Sequence, residues 1–465
     1  MKRLWVFFHT VLLAISAVAE PVELTLEEAI NIAQQNNITL RTAQSALREA
    51  SASVKSARGR FGPKLSLDAN MFVWDKELGF EMSEPSAEVM AKHADVLLKY
   101  GDLLMAFPEL MSFGNIRDRV TSQISIGITQ PLTPLYSIYK GYRIARLAED
   151  AQSHALSMTK AQVTFDVTKA YLSLKQAQAG VKIAQAAVEQ LKAHVAQAQA
   201  FYESGVIGRS DVMKVELALE QANQGLIQAR SFEELAKSAL ALTIGRDRSM
   251  EINPVSEFED PPQWTETPFE DLVAQAFRRR PELKALDAQV EMAEAMKSIA
   301  VWNMVPQVVG LFTYQHNEGM GFVYPKDSWF GGAALKWDFF EWGASYYQIS
   351  ASKAKAMQAR LQRQRAEDGV FMEVKKAYLD LVAAHKTLEV TKKSLELAEE
   401  NYRLEKARFE AHTNTATDLL DAQAALTRAK LEHTNALYNF YVAKAALAKA
   451  IGEEGIAVRT KEVER

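Results

Sequence analysis

The sequence contains no cysteine. This absence excludes disulfide bonds, thiolate metal sites, catalytic thiols and lipid attachment at an N-terminal cysteine. The stability of the fold must therefore come from packing and from assembly.

A long apolar run occurs only at the start of the chain. Lys2 and Arg3 precede an apolar stretch from Leu4 to Val18, and Ala17-Val18-Ala19 has the small residues of a cleavage site. We interpret residues 1–19 as a secretory signal peptide, with an uncleaved membrane anchor as the alternative. No later stretch approaches the roughly 18 apolar residues of a spanning helix. A membrane crossing by the mature chain would therefore require β-strands.

The motifs of an enzyme are also missing. The eight histidines have no metal-ligand spacing, and there is no glycine-rich phosphate loop or nucleophile elbow. We predict no catalytic residues, no metal site and no cofactor, and we expect His194 and His385 on helix surfaces, solvated or packed at an interface. Without Lys2 and Arg3, the 54 basic residues fall to 52 against 58 acidic ones. This net charge of −6 gives no indication of nucleic-acid binding.

The chain is internally duplicated. The motif Lys169-Ala170-Tyr171-Leu172 recurs at Lys376-Ala377-Tyr378-Leu379, an offset of 207 residues, whereas upstream segments match at an offset of 243. The difference of 36 residues indicates an insertion in the first copy. The predicted organisation has six segments: a signal peptide at 1–19, a first repeat at 20–252, an insertion at about 76–119 within it, a linker at 253–268, a second repeat at 269–452 and a tail at 453–465.

Each copy carries a long helical hairpin. Apolar residues from Leu174 to Tyr202 recur at alternating spacings of three and four, the seam of a left-handed coiled coil, and the second copy repeats this seam from Leu381 to Phe409. We predict return helices that begin at Asp211 and Asp418. Ser210 and Thr417 are the expected N-caps of these helices.

Four segments have the alternation of half-buried strands. Leu65, Leu67, Ala69, Met71 and Val73 alternate with mostly polar residues, as do Ile124, Ile126 and Ile128. Trp329 begins a comparable row, and the segment from Val308 to Tyr314 is less regular. The tryptophans Trp74, Trp329, Trp337 and Trp342 fall near strand ends, as in an interfacial aromatic girdle. A soluble sandwich would give the same alternation, but four strands cannot close a membrane barrel, so the membrane reading requires oligomers.

This combination resembles the TolC family of outer-membrane efflux and secretion channels over the whole mature chain. The motifs are the two KAYL helices, the tip sequences YESG and FEAH, the return helices SDV and TDLLDAQ, and a closing Ile-Gly in each copy. The resemblance implies an α/β membrane protein with coiled-coil helices and four transmembrane β-strands per chain. It further implies a homotrimer with a 12-stranded β-barrel in outer-membrane lipid, a 12-helix tunnel in the periplasm, a periplasmic adaptor and an inner-membrane pump.

The resemblance also implies roles for residues at the hairpin tips. Asp418 and Asp421 match the aspartates that narrow the periplasmic aperture, and Asp211 matches an acidic residue that holds the closed state. Crowded carboxylates in a trimer should raise one another's pKa and attract cations. The alternative is that Asp418 is simply an acidic residue at a helix N-terminus and that Asp421 is a solvated surface residue. The expected adaptor-contacting residues at the tips are Tyr202, Gly205, Gly208, Arg209, Phe409, His412 and Asn414.

Two departures from the family pattern occur in the second hairpin. Asn414 stands where the best-known member has an arginine, and Phe409 where the family often has a tyrosine, so we expect no ionic lock at the aperture. The function implied is an outer-membrane channel of a tripartite efflux pump or a type I secretion system. The alternatives are a periplasmic adaptor, which would have one hairpin and not two, and a structural coiled-coil protein, which leaves the strands unexplained. The cargo is not encoded in these features.

Overall fold

The computed structural model describes residues 22–79, 87–96, 98–100, 116–246, 252–256, 258, 267–321 and 324–453. The proposed signal peptide, most of the tail and part of the insertion lie outside these residues. Contacts divide the chain into two compact units. The helical unit contains Met1–Arg48, Asp150–Ala288 and Leu361–Arg465, and the sheet unit contains Glu49–Glu149 and Gln289–Arg360.

The helices recur in the two copies with matching lengths. A pair of 11 and 22 residues opens each copy, and a hairpin of two long helices, of 69 and 35 or of 67 and 35 residues, closes it. In the first copy these are α1 (Leu26–Asn36), α2 (Ile38–Gly59), α4 (Leu135–Glu203) and α5 (Arg209–Thr243), with a short α3 (Ala87–Lys92) in the insertion. In the second copy they are α6 (Phe269–Arg279), α7 (Pro281–Trp302), α8 (Ala344–Glu410) and α9 (Ala416–Ala450).

Tyr171 of the first KAYL motif is at the centre of the helical unit. Its ring is fully buried, and its hydroxyl donates to the Leu24 carbonyl and accepts from the Ser256 amide, both at 2.9 Å. These bonds hold the two-stranded parallel sheet of β1 (Val22–Leu24) and β4 (Ile252–Pro254) against α4. Burial raises the pKa of the Tyr171 hydroxyl, so the group stays a neutral donor.

The predicted starts of both return helices are wrong by two residues. Helix α5 begins at Arg209 with Gly208 as its N-cap and no side-chain cap, so Ser210 is not the cap. Helix α9 begins at Ala416 with Thr415, not Thr417, as its N-cap. Thr415 prevails because its hydroxyl accepts from the Asp418 amide while the Asp418 carboxylate accepts from the Thr415 amide, a reciprocal capping box.

The sheet unit contains one antiparallel sheet of four strands in the order β2-β3-β5-β6. The strands are β2 (Lys64–Val73), β3 (Val120–Pro131), β5 (Gln307–Glu318) and β6 (Asp327–Lys336). The register places one apolar row on a single face: Leu65, Leu67 and Ala69, then Ile128, Ile126 and Ile124, then Phe312 and Tyr314, then Gly331 and Trp329. Strand β5, irregular in sequence, therefore continues this row.

The four tryptophans of the expected girdle divide between the two ends of the sheet. Trp74 and Trp329 lie toward the end where β5 and β6 join, and Trp337 and Trp342 follow β6 at the opposite end. Trp74 is fixed by a hydrogen bond of 3.0 Å from Nε1 to Thr121 Oγ1 and by the Arg117 guanidinium 3.8 Å above its ring centroid. Trp342 is 88% exposed. Among the described residues, no helix is long and apolar enough to cross a membrane.

Candidate functional site

The two hairpin tips have the same backbone conformation. Gly205 and His412, which are 207 residues apart, occupy equivalent left-handed positions with φ of 78° and 58°. At each tip the next amide bonds back to the carbonyl five residues earlier: Val206 to Phe201 and Thr413 to Arg408, both at 2.9 Å. These are the bonds of a Schellman motif, which normally has glycine at the left-handed position.

His412 adopts this conformation at a steric cost. Left-handed geometry is unfavourable by roughly 1–2 kcal/mol for a residue with a Cβ atom. The imidazole packs edge-on against the Phe201 ring of the other hairpin, with centroids 4.5 Å apart. Aromatic pairs of this type contribute roughly 0.5–1.5 kcal/mol beyond burial. The contact between hairpins thus offsets much of the strain that a glycine would avoid.

An apolar cluster joins the two tips. The tip cluster consists of Ala198, Val212, Val215, Phe409, Ala416 and Leu419. Phe409 is only 2% exposed and lies 5.5 Å from the Phe201 ring. Phe201 packs against this cluster but was missed by the sequence reasoning, because it lies one position before the Tyr202 that continues the seam. Each hairpin therefore covers the apolar end of the other.

His194 has the second of its two expected positions, since it is packed at an interface between helices and not solvated. The side chain is 3% exposed, and its Nε2 lies 3.0 Å from the Tyr402 hydroxyl on α8. His194 is buried because α8 covers the seam of α4 at this level, between Leu191 and Ala198. Burial, together with the Lys406 charge, lowers the pKa of His194. A neutral imidazole at this contact is therefore favoured. His385, by contrast, is partly buried beside Phe440.

The two aspartates of the expected aperture line the same polar depression. It has a volume of about 600 Å³ and is lined by Asn401, Glu405, Arg408, Thr413, Asn414, Asp418, Asp421 and Ala422. Within the chain, hydrogen bonds from the Thr415 hydroxyl and amide lower the pKa of Asp418, the opposite direction to the one expected for a crowded ring. Asp418 is thus both a helix-capping residue and an exposed carboxylate.

Asn414 is held by a neighbouring ion pair. Its Nδ2 donates to the Glu405 carbonyl at 3.0 Å and to the Glu405 carboxylate at 2.7 Å. Arg408 Nη1 pairs with the same Glu405 at 2.8 Å. A positive charge therefore lies beside the depression even though Asn414 itself has none. Sequence reasoning missed Arg408 and Glu405 because their role depends on the turn that brings Asn414 back onto α8.

The third candidate acid, Asp211, takes part in a link between the hairpins. Lys214 Nζ lies 3.1 Å from the Asp211 carboxylate and 3.4 Å from the Thr417 hydroxyl of α9. The remaining candidates, Tyr202, Gly205, Gly208 and Arg209, are exposed at the first tip. They are not brought into the polar depression.

Comparison with known proteins identifies this architecture. A model of the family "Outer membrane efflux protein" matches residues 29–246 and 272–453, which covers both repeats. The chain belongs to the outer membrane efflux protein family. This family comprises outer-membrane channel proteins and not enzymes, in agreement with the TolC-type resemblance of the sequence.

Three individual proteins to which the chain is similar share less than a quarter of their aligned residues with it. Nodulation protein T of Rhizobium leguminosarum bv. trifolii is 19% identical over 321 residues, 68% of this chain and 69% of that protein. Protein CyaE of Bordetella pertussis is 23% identical over 436 residues, 93% and 85% of the two chains. The crystal structure of the Campylobacter jejuni CmeC outer membrane channel superposes with a TM-score of 0.75 at 14% identity, covering 95% of this chain and 87% of that one. The fold is thus that of TolC-like channels.

Proposed function

We propose that this efflux-family protein is the outer-membrane channel of a tripartite efflux pump or a type I secretion system. Three copies would each contribute four strands to a closed 12-stranded barrel and four long helices to a periplasmic tunnel. The observation that supports this proposal most strongly is the open four-stranded sheet, whose strands β2 and β6 each have one unpaired edge in the described chain. Open edges are not tolerated in lipid, and the smallest known barrels have about eight strands.

Exposed apolar seams on the hairpins support self-assembly. On α5 the side chains of Met213, Leu217 and Leu235 are more than half exposed, and on α8 those of Leu379, Val390 and Leu397 are also more than half exposed. Repeated exposed apolar side chains along a helix are consistent with an interaction site. A second copy would cover both rows and complete the coiled-coil packing, which we propose as the contact between subunits.

The tip residues are proposed to meet a periplasmic adaptor that connects the channel to an inner-membrane pump. Tyr202 and Arg209 are exposed at the first tip and available for direct contact. Phe409 is buried in the tip cluster, so its proposed role is to hold the tip in shape. An adaptor protein is the less favoured function for this chain, since both long hairpins belong to one efflux-family fold.

Asp418, Asp421 and Asp211 are proposed to line the periplasmic aperture of the assembly. The depression that Asp418 and Asp421 share is open to solvent. Six carboxylates from three copies of this pair would attract divalent cations. The nearby Arg408–Glu405 pair adds no net charge to this ring.

Planar-bilayer conductance tests the proposed function. The purified protein should form channels that are blocked by a divalent cation added from the tip side. The Asp418→Asn, Asp421→Asn double variant should conduct with weaker block and reduced cation selectivity. A matched control is Glu396→Gln with Glu400→Gln, which removes two exposed carboxylates on α8, outside the depression, and should leave the block unchanged. Absence of channel events for the wild type would reject the proposed channel function. Unchanged divalent block in the double variant would show that the constriction lies elsewhere.

A further inference from the structure

A second candidate site lies in the helical unit, apart from the tips. This basic pocket has a volume of about 480 Å³, and its charged lining residues are Lys160, Arg279, Lys284, Lys449 and Glu453. They come from α4, from both sides of the α6–α7 junction and from the end of α9. Four cations and one carboxylate give the lining a formal charge of +3.

The end of α9 is fitted closely against the α6–α7 junction. Gly452 has φ of 70°, and a Cβ atom added to it would lie 3.1 Å from Arg279 Cβ. Pro281, the first residue of α7, also lines the pocket, so the positive end of that helix contributes to the same potential. The pocket is therefore built from fixed backbone elements.

The nearby acidic residues are engaged by another cation. The buried Arg280 pairs with Glu373 and Glu282, while Lys449 lies 3.9 Å from Glu373. In the part of the chain that the structure describes, Lys160, Arg279 and Lys284 have no ion-pair partner. Glu453 is the one carboxylate in the described lining, and an excess of like charges is unfavourable unless an anion binds among them.

The internal repeat shows that the fold does not require these cations. The same junction occurs in the first copy, where Gly245, the counterpart of Gly452, approaches Asn36 with φ of 73°. By the repeat offsets, the counterparts of Lys160, Arg279 and Lys449 are Glu367, Asn36 and Leu242. Only Lys284 has a basic counterpart, Arg41. Since an equivalent junction forms with three of the four charges replaced, packing does not explain the basic set.

We propose that the basic pocket binds a small, multiply charged anion through its phosphate or carboxylate groups. The three cations without partners and Lys449 supply the charge. Thr164 lines the same cavity, and its hydroxyl supplies a further hydrogen-bond donor. Charge-assisted hydrogen bonds to phosphate or carboxylate are stronger than neutral ones. The site depends only on the helical unit and is independent of the proposed channel function.

Isothermal titration of the full-length protein in detergent at low ionic strength tests this site. Inorganic pyrophosphate and citrate are the two probes, with sodium acetate as the singly charged control. We expect saturable binding of at least one probe, with the stronger probe identifying phosphate or carboxylate as the preferred group. The triple variant Lys160→Glu, Arg279→Asn, Lys449→Leu copies the other repeat and should bind at least about tenfold more weakly, because three charged donors are lost.

A matched control uses the first-copy junction. Arg41→Gln removes the counterpart of Lys284 and should leave the affinity unchanged, whereas Lys284→Gln should lower it a few-fold. Circular dichroism and size-exclusion chromatography establish folding and assembly of each variant. Absence of saturable binding to the wild type, equal affinity in Lys284→Gln and Arg41→Gln, or loss of assembly in the folded triple variant would overturn the proposal. The last result would identify the cations as a contact between subunits.

Discussion

The residue in the left-handed position of each hairpin tip determines both backbone strain and contact with the other hairpin. Gly205 and His412 have the same left-handed backbone, but only His412 has a side chain that reaches the other hairpin. Glycine therefore lets the first tip turn without strain. Histidine makes the second tip strained but also places its ring against Phe201.

Gly205→Ala should destabilise the first tip by about 1–2 kcal/mol, because alanine must enter the left-handed region. The space around Gly205 is open, so a clash does not contribute. The control is Gly180→Ala in the middle of α4, where space is also open and alanine should stabilise the helix by about 0.5–1 kcal/mol. Chemical denaturation measures both. Equal effects of the two substitutions would contradict the assigned tip geometry.

His194 makes the contact between hairpins sensitive to pH. Its pKa is lowered by burial, so the unfolded chain binds a proton more readily than the folded one. The stabilisation linked to neutral His194 is therefore fully present above the pKa of the unfolded chain, near 6.5. It decreases as the pH falls from there toward the lower pKa of the folded chain. The charged groups near the ring are Lys406 and Glu410, and Tyr402 is its hydrogen-bond partner.

The midpoint of thermal unfolding should thus drop more between pH 7.5 and 5.5 in the wild type than in His194→Gln, whose amide does not titrate in this range. Hydrogen exchange at residues 194–202 gives a local measurement of the same effect. A pH dependence that is identical in both proteins would show that His194 does not titrate with folding.

The helices begin where a capping residue satisfies the first backbone amides, and the sequence predicted these positions only in part. The seams predicted the long helices, and the alternation predicted the strands, because both depend on periodicity. The helix starts were misplaced because Ser210 and Thr417 are equally good cap residues by type. Only the geometry selects Thr415, although the pair Thr415 and Asp418 at a spacing of three is a capping signature.

Thr415→Ala should destabilise α9 by about 0.5–2 kcal/mol through loss of the capping box. Ser210→Ala is the matched control at the other return helix and should change stability by less than about 0.5 kcal/mol, because a surface residue that is not a cap contributes little. Exchange rates of the amides at residues 416–419 and 209–212 measure the local effect. A larger effect of Ser210→Ala would show that Ser210 caps α5 after all.

At the scale of the whole molecule, the repeat and the family were predictable, but the sites were predictable only in part. The duplicated fold is predicted by the offsets of 207 and 243 residues, and the family by motifs such as KAYL. The tip cluster and the basic pocket were not predictable, because each assembles residues from three or more distant segments. Asp418 and Asp421 line one depression, as expected for two residues three positions apart on a helix, and their place at an aperture stays a prediction.

The central claim is that three copies of this chain form one channel in the outer membrane. Native mass spectrometry of the protein extracted from isolated outer membranes measures the number of copies directly. We predict a mass of three mature chains, with the protein absent from the soluble periplasmic fraction. A single-chain mass from a soluble periplasmic fraction would contradict this account.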